Sequence, residues 1–388
     1  MVPNGWSNTC IDDNITFSGG AQPPREVFKF EPEAGYIRLI QIRDYKSDKF
    51  ITYIPQKLAK KFCSVDDVMI GRYGPPIFQI LRGIEGAYNV ALIKAIPKFG
   101  VDKEFMYYFL KRDPLLRVIE SYSQRTSGQT GIEMDVLKAY PMHLPPLPEQ
   151  RKIAQILSTW DKAITTTEKL INASKQQKKA LMQQLLTGKK RLVDPETGKA
   201  FEGEWELSQL KNCVKFLNGQ RKPIKQEERA NIQGQYPYYG ATGIIDYVND
   251  YIFDDELILL GEDGENILSR VLPHVFVVRG KVWINNHAHV FKANKNMNTD
   301  FLCMYLESLD YKKYNSGSAQ PKINKAVCEK IPVMIPLLKE QQKIASVLTT
   351  ADKDIELLNA KLSHFKQEKK ALMQQLLTGK KRVQVEAA

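Results

Sequence analysis

Two long segments of the chain repeat their apolar residues at the three-and-four spacing of a coiled-coil helix. In the first segment these positions are Ile153, Leu157, Trp160, Ile164, Thr167, Ile171, Ser174, Lys178, Leu181 and Leu185. In the second they are Ile344, Leu348, Ala351, Ile355, Leu358, Leu362, Phe365, Lys369, Leu372 and Leu376. A pattern sustained over about four to five heptads predicts a long helix with one narrow apolar stripe. Each stripe needs a partner, and we expect the two helices to pair with each other.

The two segments are copies of one another. Residues 178–191 recur letter for letter as residues 369–382, 191 positions later. Upstream matches keep the same distance, among them Glu149-Gln150 with Glu340-Gln341. An internal repeat of this length sets the architecture before any local structure is considered.

The ends and one seam position of these helices carry further signals. The prolines of residues 145–148 predict a helix start at Glu149, and Gly188 and Gly379 predict the C-caps. The lysines of the last turns can interact favourably with the helix dipole, contact an acidic partner or contact DNA phosphates. The sequence does not distinguish among these roles. Lys178 and Lys369 lie on the apolar seam, where a polar residue typically fixes the register of a coiled coil.

The segment before the first helix mixes strand-like runs with turns. Residues 36–42 and 91–96 are rich in β-branched and apolar residues, which predicts strands. Residues 71–76 hold glycines and prolines and predict a loop, whereas residues 102–112 predict a short helix with an acidic start and a basic end. The segment is therefore an α/β mixture of about 140 residues, the size of one domain.

The segment between the two helices resembles the first segment weakly but in order. It opens with Glu204-Trp205 where the first opens with Gly5-Trp6. The other matched pairs are residues 71–74 with 261–264, Arg82-Gly83 with Arg279-Gly280, and residues 129–132 with 320–323. We therefore predict an α/β protein of two globular domains joined by two long antiparallel coiled-coil helices, in a pseudo-twofold internal repeat. The predicted segments are a first domain (1–145), a first spacer helix (146–190), a linker (191–203), a second domain (204–336), a second spacer helix (337–382) and a tail (383–388).

Composition fits a soluble globular protein, and 388 residues allow two or three domains. There is no run of about 18 apolar residues, so no membrane span is expected. The first six residues lack the features of a signal peptide, so we expect a cytoplasmic protein. The five cysteines, Cys10, Cys63, Cys213, Cys303 and Cys328, are odd in number and far apart, which favours reduced thiols over disulfides or a zinc site.

The net charge of +12 favours a polyanionic partner, but its location matters more than its sum. Residues 149–191 hold ten basic and three acidic residues, and residues 340–382 hold nine and five. Nearly all of the surplus therefore belongs to the two helical repeats. The domains must make any basic surface by local clustering.

The chain resembles the specificity subunit of type I restriction-modification systems. The resemblance lies in a tryptophan near each domain start, in residues 147–154 (LPEQRKIA) with their copy 338–345 (LKEQQKIA), and in residues 181–188 (LMQQLLTG) with theirs. Residues 236–246 and 261–264 are similar to a common type of second recognition domain. Two departures are residues 11–13, a poor version of the usual opening, and Lys339, which replaces proline.

The resemblance implies that each domain is a target recognition domain for one half of a split double-stranded DNA site. It also implies two adenine methyltransferase subunits as partners and, in a complete system, two restriction and translocation subunits. S-adenosylmethionine, and ATP with magnesium, are then expected on those partners and no cofactor on this chain. A helix of residues 149–186 would span about 57 Å, or about 17 base pairs, which suits two half-sites with an unread spacer. We expect one added helical turn to change the spacer and not the half-sites.

Catalytic motifs of such partners are missing from this sequence. The diprolines at residues 23–24, 75–76 and 145–146 lack the preceding Asn or Asp of an adenine methyltransferase loop. Residues 187–190 lack the first glycine and the hydroxyl of an ATP-binding P-loop. We therefore expect a non-catalytic subunit.

Several residues are candidates for DNA contact, each with a structural alternative. Tyr238, Tyr239 and Thr242 could contact bases or phosphates, and the alternative is aromatic packing beside a glycine turn. Arg112, Arg117 and Arg125 could bind phosphates, and the alternative is that they are solvated charges. Gln129 and Gln320 suit adenine, or cap their loops. His287 and His289 suit a metal pair less well than strand packing or DNA contact. The remaining candidates are Arg72, Arg82, Arg221, Lys222, Arg270, Arg279, Lys312, Lys313 and Lys322.

Three classes of function remain open at this stage. The first is a non-enzymatic DNA-recognition scaffold, and the second is a coiled-coil scaffold that binds only proteins. The third is an enzyme with an unrecognised site. Salt-dependent binding of duplex DNA separates the first from the second. Methyl transfer by the chain alone would support the third. The half-site sequences do not follow from the residues.

Overall fold

The computed structural model describes residues 2–126, 129–317 and 320–385. They form two compact units, one of residues 1–168 with 361–388 and one of residues 169–360. Each unit holds one globular domain and part of both long helices. Within the described residues, no helix is both long and apolar enough to cross a membrane.

The described residues of the first unit form two four-stranded sheets and two strand pairs. One sheet has the order Ile15–Gly19, Leu92–Pro97, Val68–Gly71 and Gln79–Leu81, and the other Tyr53–Pro55, Tyr36–Ile40, Gly86–Tyr88 and Phe62–Cys63. The pairs are Ser7–Cys10 with Pro141–Leu144 and Gln124–Thr126 with Gln129–Gly131. The domain's helices are Ile11–Asn14, Lys103–Leu110, Asp113–Tyr122 and Met134–Ala139.

In the second unit, the residues that the structure describes form one six-stranded sheet and one strand pair. The sheet has the order Val214–Phe216, Ala288–Ala293, Phe253–Gly261, Val275–Ile284, Gln233–Tyr239 and Ile244–Val248. The pair is Glu206–Gln209 with Pro332–Ile335. The domain's helices are Leu210–Cys213, Gln226–Ala230, Asn266–Ser269, Thr299–Glu307 and Lys325–Glu329.

The local predictions for the first domain are confirmed with small shifts. The predicted strand of residues 36–42 ends at Ile40, and a short 3-10 turn, Ile42–Tyr45, follows. The predicted strand of residues 91–96 is Leu92–Pro97. The predicted helix is Lys103–Leu110, and the Asp102 carboxylate caps it by accepting from the Phe105 N–H at 2.9 Å.

The two spacer helices run over Leu147–Leu185 and Leu338–Leu376. The first begins two residues before the predicted start at Glu149. Pro148 is tolerated there because the first turn of a helix needs no N–H from it. The second begins at the equivalent residue although Lys339 replaces the proline. Every predicted seam residue of both helices is buried or half-buried, as the heptad pattern requires.

Within each unit the two helices pair antiparallel. In the first unit the Asp161 carboxylate accepts from Lys369 at 2.5 Å and Glu168 pairs with Lys366 at 2.8 Å. Partners that advance along one helix therefore retreat along the other. In the second unit Lys178 pairs with Asp352 at 2.5 Å, the equivalent contact. The seam lysines thus meet seam-flanking carboxylates at fixed positions, which supports their predicted role in register.

The repeated Glu-Gln dipeptide anchors each domain to its spacer helix. The Gln150 side chain accepts from the Asp102 N–H at 2.7 Å, and Gln341 accepts from the Asn298 N–H at 2.8 Å. Both glutamines are fully buried, so each replaces water at the cap of the domain's helix. Sequence identity in the repeat therefore corresponds to identical anchoring contacts.

Gly188 and Gly379 end the spacer helices as predicted. Their φ angles are 70° and 68°, the left-handed conformation of a helix C-cap. The arginines that follow turn back to the helix starts within the same unit. Arg191 binds the Glu340 carboxylate at 2.7 Å and Arg382 binds Glu149 at 2.7 Å.

Candidate nucleic-acid interface

One loop occupies the same backbone position in both domains. It comprises residues 71–74 in the first domain and 261–264 in the second, and we call it the glycine loop. In the first domain the Arg72 N–H donates to Ala91 O at 2.8 Å, and the Arg72 carbonyl accepts from the Ile132 N–H at 3.2 Å. These two hydrogen bonds tie the glycine loop to the start of one strand and to the polar segment downstream.

The second domain repeats both hydrogen bonds. The Glu262 N–H donates to His287 O at 2.8 Å, and the Glu262 carbonyl accepts from the Ile323 N–H at 2.8 Å. The weak sequence match of the two glycine loops therefore reflects the same backbone arrangement. Arg72 corresponds to Glu262, and Ala91 corresponds to His287.

Gly261 is required by the close approach of its neighbours. A Cβ atom at Gly261 would lie 2.9 Å from the Ala241 carbonyl oxygen and 2.9 Å from a carbon of the His274 ring. The turn of residues 240–243, closed by a Gly240 N–H to Gly243 O bond of 2.8 Å, therefore packs against the glycine loop. Thr242 is half-buried in this turn.

Glu262 organises the second glycine loop through two predicted residues. Its carboxylate accepts from Arg221 at 2.7 Å and lies 3.3 Å from the Lys322 ammonium. Arg221 also donates to the Ala288 carbonyl at 2.8 Å. Burial opposes ionisation of Glu262 and is the largest single effect, but the Arg221 hydrogen bond, the charge of His289 and the Lys322 contact together outweigh it and lower the pKa of the carboxyl group. Arg221 therefore links Glu262 of the glycine loop to the backbone of Ala288.

The two candidate histidines have different environments. The His287 Nδ1 lies 2.9 Å from both oxygens of Asp263, and its side chain is 53% exposed. His289 is 1% exposed, with Nε2 2.7 Å from Ile323 O and Nδ1 2.9 Å from the Asn218 amide. Burial lowers the pKa of His289. No cluster of three metal-ligating side chains occurs among the described residues.

The first glycine loop carries a cation in place of Glu262. The Arg72 guanidinium lies 5.5 Å from the centre of the Tyr73 ring and forms no ion pair with any side chain that the structure describes. The Tyr73 ring packs beside Gly131, where a Cβ atom would lie 3.6 Å from it. Arg72 is thus held over an aromatic ring at the rim of the loop.

Other arginine candidates of the first domain lie elsewhere or outside the described side chains. Arg112 is half-buried over the Phe109 ring, and burial lowers its pKa. Arg117 is exposed on the helix Asp113–Tyr122. The side chains of Arg125 and Gln129 are outside the described part of the structure.

Besides Arg221, three predicted arginines form ion pairs inside their own domains. Arg82 binds Glu104 at 2.7 Å, and Arg279 binds Asp300 at 2.7 Å. Both carboxylates lie in the first turns of helices that the repeated glutamines anchor, so these pairs are equivalent. Arg270 binds Glu307 at 2.8 Å. These contacts supply a structural role for cations that we had predicted to contact DNA.

Tyr238 does not fit the predicted contact with DNA. Its side chain is 1% exposed, and its hydroxyl accepts from the Ile224 N–H at 2.9 Å. Tyr239 is half-buried against Phe276, with ring centres 5.9 Å apart. The aromatic-packing alternative therefore describes Tyr238. The remaining candidates are exposed, namely Lys222, Lys312, Lys313 and Gln320.

The sequence did not single out Glu262 and Asp263 as residues of the site. In the structure, Glu262 contacts Arg221 and Lys322, and Asp263 contacts His287. The second glycine loop thus brings together side chains from separate segments. The signal was the match of residues 261–264 with residues 71–74, which we used only for architecture.

Comparison with known proteins identifies the family. The model of the type I restriction modification DNA specificity domain matches residues 3–176 and 202–367. The chain belongs to this family. The family provides DNA sequence specificity and is not catalytic in general. The family resemblance predicted from the sequence is therefore confirmed.

Individual relatives are distant and cover different extents of the chain. A putative type I restriction enzyme specificity subunit of Haemophilus influenzae is 36% identical over 39% of this chain and 38% of its own length. The type I restriction enzyme MjaVIII specificity subunit of Methanocaldococcus jannaschii is 26% identical over 98% of this chain and 94% of its own. The crystal structure of the type I restriction-modification S subunit from M. genitalium aligns over 97% of both chains with a TM-score of 0.63 at 16% identity. The predicted fold of two recognition domains with two long antiparallel helices is thereby confirmed.

Proposed function

We propose that the chain binds a bipartite double-stranded DNA site, with one half-site for each domain. The carrying observation is the pair of glycine loops, which share their backbone hydrogen bonds and differ in every side chain between the two glycines. A shared scaffold with different side chains suits two readers of different base sequences, because base edges are distinguished by hydrogen-bonding side chains.

We propose further that the spacer helices direct partner subunits to the site. Two adenine methyltransferase subunits, and restriction and translocation subunits in a complete system, would bind equivalent surfaces of the two repeats. S-adenosylmethionine, ATP and magnesium then belong to those partners, and the assembly works in the cytoplasm. The duplicated anchoring contacts of Gln150 and Gln341 support this proposal, since they present each helix to its domain in the same way.

The segment bounds stated from the sequence remain part of the proposal. The recognition domains correspond to residues 1–145 and 204–336, and the spacers to residues 146–190 and 337–382. The helix bounds Leu147–Leu185 and Leu338–Leu376 lie inside the proposed spacers.

A methylation map tests this function. The full-length chain would be co-expressed with an adenine methyltransferase subunit of a type I system from the same organism, in a host without other adenine methylation. We expect methylated adenines at one split motif with an unread spacer. Expression of the methyltransferase without the chain is the control, and it should leave the motif unmodified.

Two outcomes would contradict the proposal. Motif methylation without the chain would assign the specificity to the partner. A chain that binds the methyltransferase but does not bind duplex DNA in a salt-dependent way would be a protein scaffold only.

A further inference from the structure

The two glycine loops present opposite hydrogen-bonding groups at matched positions. Arg72 of the first loop and Glu262 of the second hold the same place in the backbone, as their paired hydrogen bonds show. Arginine has only donors, and a carboxylate has only acceptors. The two loops therefore differ in the hydrogen-bonding group that each carries at this backbone position.

In the first domain the donor is available. Arg72 is half-buried, and its guanidinium has no ion-pair partner among the described side chains. The Tyr73 ring limits its freedom. In the major groove, a guanidinium pairs best with the O6 and N7 acceptors of guanine. The first loop is thus suited to a guanine.

In the second domain Glu262 itself is not available. Its carboxylate is occupied by Arg221 and Lys322, and its side chain is 14% exposed. His287, which stands where the first domain has Ala91, is the outward side chain at this point. The outward hydrogen-bonding group of the second loop is therefore an imidazole.

Asp263 determines which nitrogen of the His287 ring donates a hydrogen bond and which accepts one. A carboxylate only accepts hydrogen bonds, so the His287 Nδ1 that lies 2.9 Å from both Asp263 oxygens must carry a proton. In the neutral ring the other nitrogen, Nε2, is then an acceptor. An acceptor in the major groove meets the exocyclic amine of adenine or cytosine.

We propose that Arg72 reads a guanine in one half-site, and that His287, positioned by Asp263, reads an amine-bearing base in the other. This inference rests on the proposed function and adds the chemistry of one base contact in each half. His287 is the group that touches the base, and Asp263 is a positioning residue that acts through the ring tautomer.

The test selects duplexes from a randomised DNA pool with the full-length chain in complex with its methyltransferase subunit. The variants are Arg72→Ala, His287→Ala, His287→Gln and Asp263→Asn. Lys199→Ala is the matched control, because Lys199 is exposed in the linker and lies outside both glycine loops and both spacer helices.

Each variant has a distinct expected result. Arg72→Ala should lower the preference for guanine at one position of the first half-site about tenfold, with the second half-site unchanged. His287→Ala should do the same for an amine-bearing base in the second half-site, with the first unchanged. His287→Gln retains an acceptor and should restore the preference.

Asp263→Asn separates positioning from mere packing. The asparagine amide can donate to Nδ1, which moves the ring proton to Nε2 and turns the outward group into a donor. The selected base should then shift toward guanine, whereas loss of packing alone would lower binding without a new preference.

The result that overturns the inference is an unchanged second half-site in both His287→Ala and Asp263→Asn, or an unchanged first half-site in Arg72→Ala. Its failure is distinguishable from failure of the proposed function. In the latter case the unsubstituted complex itself selects no split motif.

Discussion

At the scale of single residues, the second domain contains a buried polar cluster with unmet hydrogen bonds. Both ring nitrogens of His274 lack partners within the described structure, as does the Tyr311 hydroxyl. The two rings pack edge to face with centres 4.6 Å apart. Burial lowers the pKa of His274 to about 3, with Arg270 adding to the effect. The folded domain therefore holds this histidine neutral.

This residue makes stability depend on pH. The unfolded chain binds a proton at His274 near pH 6.5 but the folded domain only near pH 3, so stability falls as the pH drops through that window. At pH 5 the loss is about 2 kcal/mol relative to pH 7. His274→Gln should remove this part of the pH dependence.

The free energy of unfolding of the second domain, measured with urea at pH 7 and at pH 5, tests this prediction. His364→Gln, a substitution of an exposed histidine, is the control. An equal loss of unfolding free energy in His274→Gln and in the original chain would show that His274 titrates normally when folded.

At the scale of helices, identical sequences meet unequal surroundings. Lys369 and Lys178 are equivalent seam residues, but their side chains are 12% and 22% exposed. The Asp161 partner of Lys369 also accepts from the Tyr108 hydroxyl at 2.8 Å. The second domain has Met304 at the position that corresponds to Tyr108, counted from the helix caps. The first unit therefore holds its seam pair more tightly.

Double-mutant cycles should reveal this asymmetry. We expect a coupling free energy of about 1 kcal/mol for Lys369 with Asp161, because the pair is less solvated and shares a third partner. The coupling of Lys178 with Asp352 should be smaller. Lysine-to-methionine and aspartate-to-asparagine substitutions, combined in urea unfolding, give both values. Equal couplings would mean that Tyr108 adds nothing to the seam.

The periodic elements followed from the sequence because their signals are local. Every seam residue of the heptads was predicted correctly, since spacing along one helix sets which side is apolar. The start of the first helix was off by two residues, because a proline is compatible with both starts. The environments of Arg82 and Tyr238 were not predictable, since their partners Glu104 and Ile224 come from other segments and nothing local identifies them.

The candidate site was predicted in composition but not in assembly. Arg221, His287 and Lys322 were predicted as candidates for DNA contact, and the structure joins them through Glu262 and Asp263. That junction depends on strand pairing between residues far apart in sequence. Sequence matching of the two glycine loops was the one signal that indicated it.

At the scale of the whole molecule, the proposed spacer length depends on the helices alone. Insertion of four residues, about one helical turn, at equivalent places in both helices should lengthen the unread spacer of the methylated motif and leave both half-sites intact. The same methylation map measures it. An insertion of four residues in the linker at residues 192–201 is the control and should leave the motif unchanged. Altered half-sites with a constant spacer would contradict the proposal.

The 14 consecutive residues that are identical in the two repeats, 178–191 and 369–382, must fit two different sets of neighbours. A Cβ atom added at Gly379 would lie 2.2 Å from Pro3, whereas one added at Gly188 would lie 3.4 Å from the Trp205 ring. When both copies change together, a substitution that fits the neighbours of one copy must also fit the more closely packed neighbours of the other. The more closely packed copy therefore limits which substitutions the shared sequence tolerates. Sequence change in the repeat is more restricted than it would be if only one copy existed.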